Sequence, residues 1–376
     1  MIYFDAAATT LQKPPSVRRA VNRAMEQLAS PGRGGYWAAQ SAERAMFECR
    51  LEAAKLFSCE PEQAVFTMNA THGLNLAIKS LVSTGDRVVI SGFEHNAVRR
   101  PLHAVGAKIV VAGRKLFDRE ELLDAFDKEI TRNTAAVVCT HVSNVFGYIL
   151  PLEELAALCR ERGVPLIVDA SQSAGSLAVS MKSLGAQFIA MPGHKGLFGP
   201  QGTGLLLCAQ PGRPLMEGGT GTQSRLPAMP EELPERLEAG TPNVCGIAGL
   251  LAGLQFLGDC GGGEILRHET ALRCRLQAKL RKYRAVQCFS ALPELQSGVL
   301  SMRIDGVDCE DAAQMLAQKG IAVRAGLHCA PLAHESAGTL DGGTLRISFS
   351  PFNTTREVEQ LACAMAEILY LTERNR

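Results

Sequence analysis

The spacing of apolar residues divides this chain into three regimes. Up to residue 57 they recur every three or four positions. Ala42, Ala45, Met46, Cys49, Ala53 and Leu56 fall on one helical face. This predicts helices over 16–28, opened by Pro14-Pro15, and over 38–57, separated by the break Pro31-Gly32-Arg33-Gly34-Gly35. From residue 64, short apolar, β-branched runs alternate with helical stretches. Strands are predicted at 64–67, 87–90, 108–111, 135–140, 165–169, 188–191 and 204–208, and helices at 73–81, 97–105, 118–130 and 152–162. That alternation argues for an α/β fold with a mostly parallel sheet covered by helices on both faces.

In the third regime, residues 216–241 are rich in Gly, Pro and Thr and read as irregular loops. A helix over 245–257 then meets Gly258-Asp259-Cys260-Gly261-Gly262-Gly263, the best candidate for a domain boundary. Helices at 265–283, 310–318 and 355–371, with strands at 299–304 and 345–349, predict a smaller α+β C-terminal domain. No internal repeat or low-complexity tail is visible.

Composition narrows the class. The 376 residues are 46% apolar and 20% charged, ordinary for a soluble globular protein. With 39 basic against 38 acidic residues, a net charge of +1 gives no electrostatic case for nucleic acid or an anionic membrane as partner. No apolar run approaches the roughly 20 residues that span a bilayer, and the N-terminus has no secretory pattern. The 12 cysteines are scattered, without a C-x-x-C pair or metal-ligand spacing, so no metal is expected. Reduced thiols in the cytoplasm, most of them small core residues, are expected.

Candidate chemistry centres on Met191-Pro192-Gly193-His194-Lys195-Gly196, after an apolar run. Glycines let another body approach the backbone, and a lysine beside an apolar wall can lose charge and become a nucleophile toward carbonyls. The plain alternative is a surface lysine in a turn. Other polar groups fall at the carboxyl ends of predicted strands, where open α/β sheets bind ligands. Asn69-Ala70-Thr71-His72-Gly73 can cradle a phosphate at a helix N-terminus, or Thr71 can be an ordinary N-cap. His95 can lie flat on a planar ring, and Asn144 can donate to a ring hydroxyl. Asp169, ending an apolar strand, needs a partner such as a protonated ring nitrogen, unless it caps a helix. Together with Lys195 these describe a pocket for pyridoxal 5′-phosphate.

Tyr3-Phe4-Asp5-Ala6-Ala7-Ala8-Thr9-Thr10, Thr71-His72-Gly73, Glu94-His95, Val142-Ser143-Asn144, Asp169-Ala170-Ser171-Gln172, Gly193-His194-Lys195, Ala239-Gly240-Thr241-Pro242-Asn243 and Arg324-Ala325-Gly326-Leu327-His328-Cys329-Ala330 occur in one order. In these motifs the chain resembles, nearly end to end, the cysteine desulfurase/selenocysteine lyase family of class V aminotransferase-fold enzymes, nearest the group II type. The resemblance implies fold type I and three parts: an N-terminal segment, 1–15, packing near the active site and small domain; a large cofactor domain, 16–257; and a small domain, 258–376. Lys195 would form the Schiff base with the cofactor, His95 would stack on its ring, and Asp169 would pair with the ring nitrogen. Asn144 and Gln172 would approach the phenolic oxygen. Thr71, His72 and His194 would hold the phosphate, with Thr241 reaching the partner subunit's phosphate in a homodimer with shared active sites. Arg346 would grip the substrate carboxylate, with Arg324 and Asn144 nearby; a surface strand position is the plain alternative for Arg346. Cys329 would be the persulfide-forming nucleophile, its thiolate favoured by Arg324 and His328.

The implied reaction converts L-cysteine to L-alanine, passing sulfur through Cys329 to an acceptor protein, as in iron–sulfur cluster assembly. The alternatives are a selenocysteine lyase acting on L-selenocysteine in the same pocket, or an aminotransferase or other C–S lyase in which Cys329 is incidental. Some positions depart from the family pattern. Pro192 replaces a phosphate-binding hydroxyl, for which Thr220 or Thr222 can compensate. An N-terminal histidine is replaced around Gly34-Gly35-Tyr36, and a double histidine becomes Leu327-His328.

Overall fold

The computed structural model describes residues 1–32 and 34–374. Arg33 of the predicted break and the last two residues of the segment 258–376 lie outside them. The chain opens with β1 (Ile2–Tyr3), followed by α1 (Pro15–Gln27) and α2 (Trp37–Phe57). The alternating region follows as β2 (Ala64–Thr67), α3 (Ala70–Leu81), β3 (Arg87–Ser91), α4 (Asn96–Ala104), β4 (Lys108–Ala112), α5 (Arg119–Glu129), β5 (Thr134–Thr140), α6 (Leu152–Arg162), β6 (Leu166–Asp169), the short α7 (Met181–Leu184), β7 (Phe188–Pro192) and β8 (Gly204–Cys208). These strands form one seven-stranded sheet ordered β2-β8-β7-β6-β5-β3-β4. β8 alone runs antiparallel to its neighbours, and the pairings from β7 to β4 are parallel.

Successive residues of these strands feed two different cores, because strand side chains alternate faces. Val89, Val137, Cys139, Val168, Ile189 and Leu205 pack on one side with Cys49, Ala53 and Phe57 of α2 and with Leu122 and Leu155. Val88, Ile90, Val138, Ile167, Ala190 and Leu206 pack on the other with Leu74 and Ile78 of α3 and Val98 and Leu102 of α4. The predicted sheet with two covered faces is therefore observed.

After the irregular stretch come α8 (Val244–Cys260), α9 (Gly262–Leu280), β9 (Val286–Phe289), β10 (Val299–Ile304), α10 (Cys309–Gln318), β11 (Ile321–Ala322), α11 (Pro331–Ser336), β12 (Leu345–Ser348) and α12 (Thr355–Arg374). β12-β10-β9 form an antiparallel sheet, packed with α9, α10 and α12 around Leu276, Leu300, Leu316, Ile347 and Leu361. The glycine-rich stretch 258–263, the candidate domain boundary, is almost entirely helical. α8 continues through Cys260, and a single residue, Gly261 at φ 75°, turns the chain by 80° into α9. Among the described residues no single helix is long and apolar enough to cross a membrane.

The chain's two ends meet. β1 pairs in parallel with β11, and the Ser348 N–H donates to the Phe4 carbonyl at 2.8 Å. Phe4 is fully buried, edge-on to Phe349 at 5.3 Å.

Candidate active site

β7 ends in a tight loop that needs its glycines. The Gly193 N–H donates to Thr203 and the Gly199 N–H to Gly193. A Cβ on Gly193 would lie 2.1 Å from Thr203 Oγ1, and one on Gly196 would lie 2.3 Å from the Ala174 carbonyl. The loop presents Lys195. Burial pushes its ammonium down to about 8, opposed by the Asp169 carboxylate and helped by Arg346 and Arg324. A lysine in that state yields its proton far more readily than a solvated one.

Asp169 ends β6 almost fully buried. Its Oδ1 accepts the Ser171 N–H at 2.9 Å, so it caps a turn, since no helix follows. Two strands further along the same sheet edge, after β3, His95 caps α4 by accepting the Ala97 N–H at Nδ1 (3.0 Å). Burial holds its imidazole down to about 4, against the pull of Asp169. A neutral His95 therefore carries its proton on Nε2 and offers a ring face without charge. The preceding residue, Glu94, is fully buried. Its Oε1 takes Ser91 Oγ at 2.5 Å and the Thr140 N–H at 2.8 Å, bridging the ends of β3 and β5. Burial pushes its carboxyl up to about 8.

α3 begins at Ala70, three residues earlier than expected, because Asn69 is the N-cap and accepts the His72 N–H at 2.9 Å. Thr71 is thus a first-turn residue, not the cap, and stands exposed. The Ala70 and Thr71 N–H groups have no acceptor within the helix and face its N-terminal end. His72, Thr220, Thr222 and Thr241 line one cavity of about 1160 Å³. Within it, the Thr220 and Thr222 hydroxyls lie 3.2 Å apart.

Arg346, on β12, is only 2% exposed, unlike a surface strand arginine. Its Nη2 reaches Asp5 Oδ1 at 2.7 Å and its Nη1 the Asn144 carbonyl at 3.0 Å. Arg324 is exposed, but its backbone pairs with that of Arg346.

The Cys329 loop lies over this edge. His328 and Cys329 both adopt left-handed φ, 49° and 57°. Asn144 Nδ2 donates to the His328 carbonyl, and the Asn96 N–H to the Cys329 carbonyl, each at 2.8 Å. Cys329 is exposed, whereas five of the twelve cysteines are buried, fewer than composition suggested. His328 does not supply the positive charge expected of it. It is buried, its imidazole is pushed down to about 2, and its Nε2 donates to the Thr344 carbonyl.

The N-terminal segment straps these parts together. Gln172 Nε2 donates to the Ala7 carbonyl, Thr10 Oγ1 to the Lys195 carbonyl, and Lys13 Nζ to the His194 carbonyl. His194 Nδ1 lies 3.1 Å from Thr9 Oγ1, with its imidazole pushed down to about 4 by burial and by Lys195 and Lys13. Sequence reasoning did not single out Asp5, Thr9, Thr10 or Lys13 as site residues, although three of them belong to its first motif.

The family Aminotransferase class-V matches residues 2–361. The chain belongs to this class V aminotransferase family. Among class V relatives, a probable cysteine desulfurase of Methanothermobacter thermautotrophicus is 33% identical over 98% of this chain and 94% of its own. Another, from Pyrococcus abyssi, is 32% identical over the same shares. The apo structure of a cysteine desulfurase from Thermococcus onnurineus NA1 superposes with a TM-score of 0.90 at 32% identity, covering 98% and 94% of the two chains. A cysteine desulfurase from Escherichia coli superposes with a TM-score of 0.86 at 28% identity, over the same shares. Class V enzymes of this kind depend on pyridoxal 5′-phosphate, and the donor set here suits that cofactor. It comprises an amine of lowered pKa, a buried carboxylate with one backbone partner, a neutral imidazole and an open helix N-terminus.

Proposed function

We propose that this protein is a pyridoxal 5′-phosphate-dependent cysteine desulfurase that converts L-cysteine to L-alanine and retains the sulfur as a persulfide on Cys329. The observation that carries the reading is the Asn96-to-Cys329 hydrogen bond. It ties the main chain of the residue bearing an exposed thiol to the helix that His95 caps, and His95 itself lies within electrostatic range of Lys195 and Asp169. When bound, the cofactor supplies an electron-accepting ring that stabilises negative charge at the substrate Cα.

Lys195 holds the cofactor and then, as a free amine, takes the Cα proton. With the cofactor bound, Asp169 would hold a proton on the ring nitrogen and His95 would cover the ring face. Asn144 and Gln172 each keep a second amide N–H for the phenolic oxygen. Thr71, His72 and His194 hold the phosphate. Arg346, assisted by Arg324, binds the substrate carboxylate. The Cys329 thiolate attacks the substrate sulfur, so an S–S bond forms as the Cβ–S bond breaks. A proton replaces sulfur at Cβ.

The division into 1–15, 16–257 and 258–376 belongs to this reading, as does a homodimer in which Thr241 serves the partner's phosphate. The face carrying Thr241, bordered by Phe47 and Met68, both about half exposed, is where the second copy would sit. An acceptor protein then takes the sulfur.

Incubation with L-cysteine should yield alanine and a persulfide that mass spectrometry maps to Cys329. Cys329→Ala should abolish alanine release while keeping the visible band of the bound cofactor. Unchanged alanine release from that variant would refute the assignment. The same assay with L-selenocysteine tests the lyase alternative.

A further inference from the structure

Arg346 is already engaged inside the chain. Its Nη2 is ion-paired with Asp5 at 2.7 Å, its Nη1 is on the Asn144 carbonyl, and its Nε is buried with no partner among the described residues. A guanidinium buried this far without a counter-charge is strongly unfavourable. Asp5 supplies that charge, and its own position is fixed by the chain around it. Phe4 is locked between Ala322 and Ser348 by backbone bonds, and the Tyr3 hydroxyl donates to the Asp5 and Thr9 carbonyls. The Asp5 side chain keeps 18% exposure, against 2% for Arg346, so the carboxylate is the member of the pair nearer solvent.

We propose that Asp5 is a standing counter-ion of the substrate site: it neutralises Arg346 between turnovers and moderates the grip of Arg346 on an incoming α-carboxylate. This rests on Arg346 being the carboxylate ligand. Two carboxylates sharing one guanidinium repel each other, so each weakens the other's binding. L-Alanine carries the same carboxylate as L-cysteine, and a moderated grip lets the product leave. Of the five guanidinium N–H donors, Asp5 and Asn144 take one each from Nη2 and Nη1, which leaves the Nε–H and the second N–H of each Nη for a ligand.

The test is Asp5→Asn, which keeps the oxygen that accepts from Nη2 and removes only the charge. In the holoenzyme it should lower both the KM for L-cysteine and the calorimetric Kd for L-alanine about fivefold to tenfold. It should also lower the thermal midpoint, because a buried cation loses its partner. Binding of cysteamine, which has no carboxylate, should not change. Unchanged or weaker alanine binding by Asp5→Asn would overturn the proposal. Asp5→Ser is read in the same way if the Asn variant does not fold. Arg346→Lys runs in parallel. If it leaves the cysteine KM unchanged, the carboxylate assignment fails and takes this inference with it. If it raises KM while Asp5→Asn changes nothing, only the role of Asp5 fails.

Discussion

The side-chain amide of Asn144 donates to the carbonyl of His328 at 2.8 Å, pinning the residue that precedes the exposed Cys329. His328 and Cys329 are non-glycine residues in the left-handed region, a conformation that costs roughly 1–2 kcal/mol each and persists only when neighbours enforce it. Asn144→Ala removes one of the bonds that enforce it, alongside those from Asn96 and from His328 to Thr344. Alanine release should fall about tenfold or more, and amide hydrogen exchange over 326–330 should accelerate. Unchanged exchange would show that the loop holds itself.

Lys195 gives the cofactor-free protein a specific pH dependence. Its folded pKa, about 8, lies below the usual lysine value of 10.5. The penalty for a charged amine is therefore complete below pH 8 and is relieved as pH rises toward 10.5. Lys195→Met removes it. The stability gap between variant and parent, measured by urea unfolding of the apoprotein, should narrow across that window.

Glu94 has the opposite sign. Its carboxyl is raised to about 8 from 4.5, so the native state holds a proton that the unfolded chain has released. The associated stability is present below pH 4.5 and is lost as pH climbs to about 8. Glu94→Gln keeps an acceptor for the Thr140 N–H. Its stability relative to the parent should increase steadily over this range in urea titrations. A flat difference would mean that Glu94 is ionised in the native protein.

Gly175 tests the loop beneath Lys195. At φ 96° it presses on that loop, and an added Cβ would sit 2.1 Å from the Gly196 carbonyl. Gly175→Ala should cost about 2–4 kcal/mol of stability by denaturant unfolding. It should also weaken cofactor retention, because the backbone that must move carries Lys195.

The seven strands of the main sheet and the helices between them follow from apolar periodicity, because both faces of that sheet are buried. The placement of Lys195, Asp169 and His95 at or just beyond the carboxyl ends of strands was also legible. β9 was not, for its residues are only half-buried at a sheet edge and carry no clear alternation. The start of α3 was misjudged because Asn69, not Thr71, provides the cap. At 258–263, the candidate domain boundary, one left-handed glycine makes the turn and the flanking glycines are helical, a local geometry that composition alone does not specify. The Asp5–Arg346 pair spans 341 positions, and no local pattern announces such a contact. The neutrality of His328 depends on burial, which its neighbours in the chain do not reveal.

The strap from Tyr3 to Lys13 has a consequence for biosynthesis. Residues of this strap must wait for others translated more than 300 positions later, because Asp5 has no Arg346 and Phe4 no Ser348 until β12 has been made. An emerging polypeptide can build its large sheet early and yet remain without a finished substrate pocket. The exposed Cys329 is itself made late, so under the proposed function a product truncated before it would carry Lys195 without the proposed nucleophile.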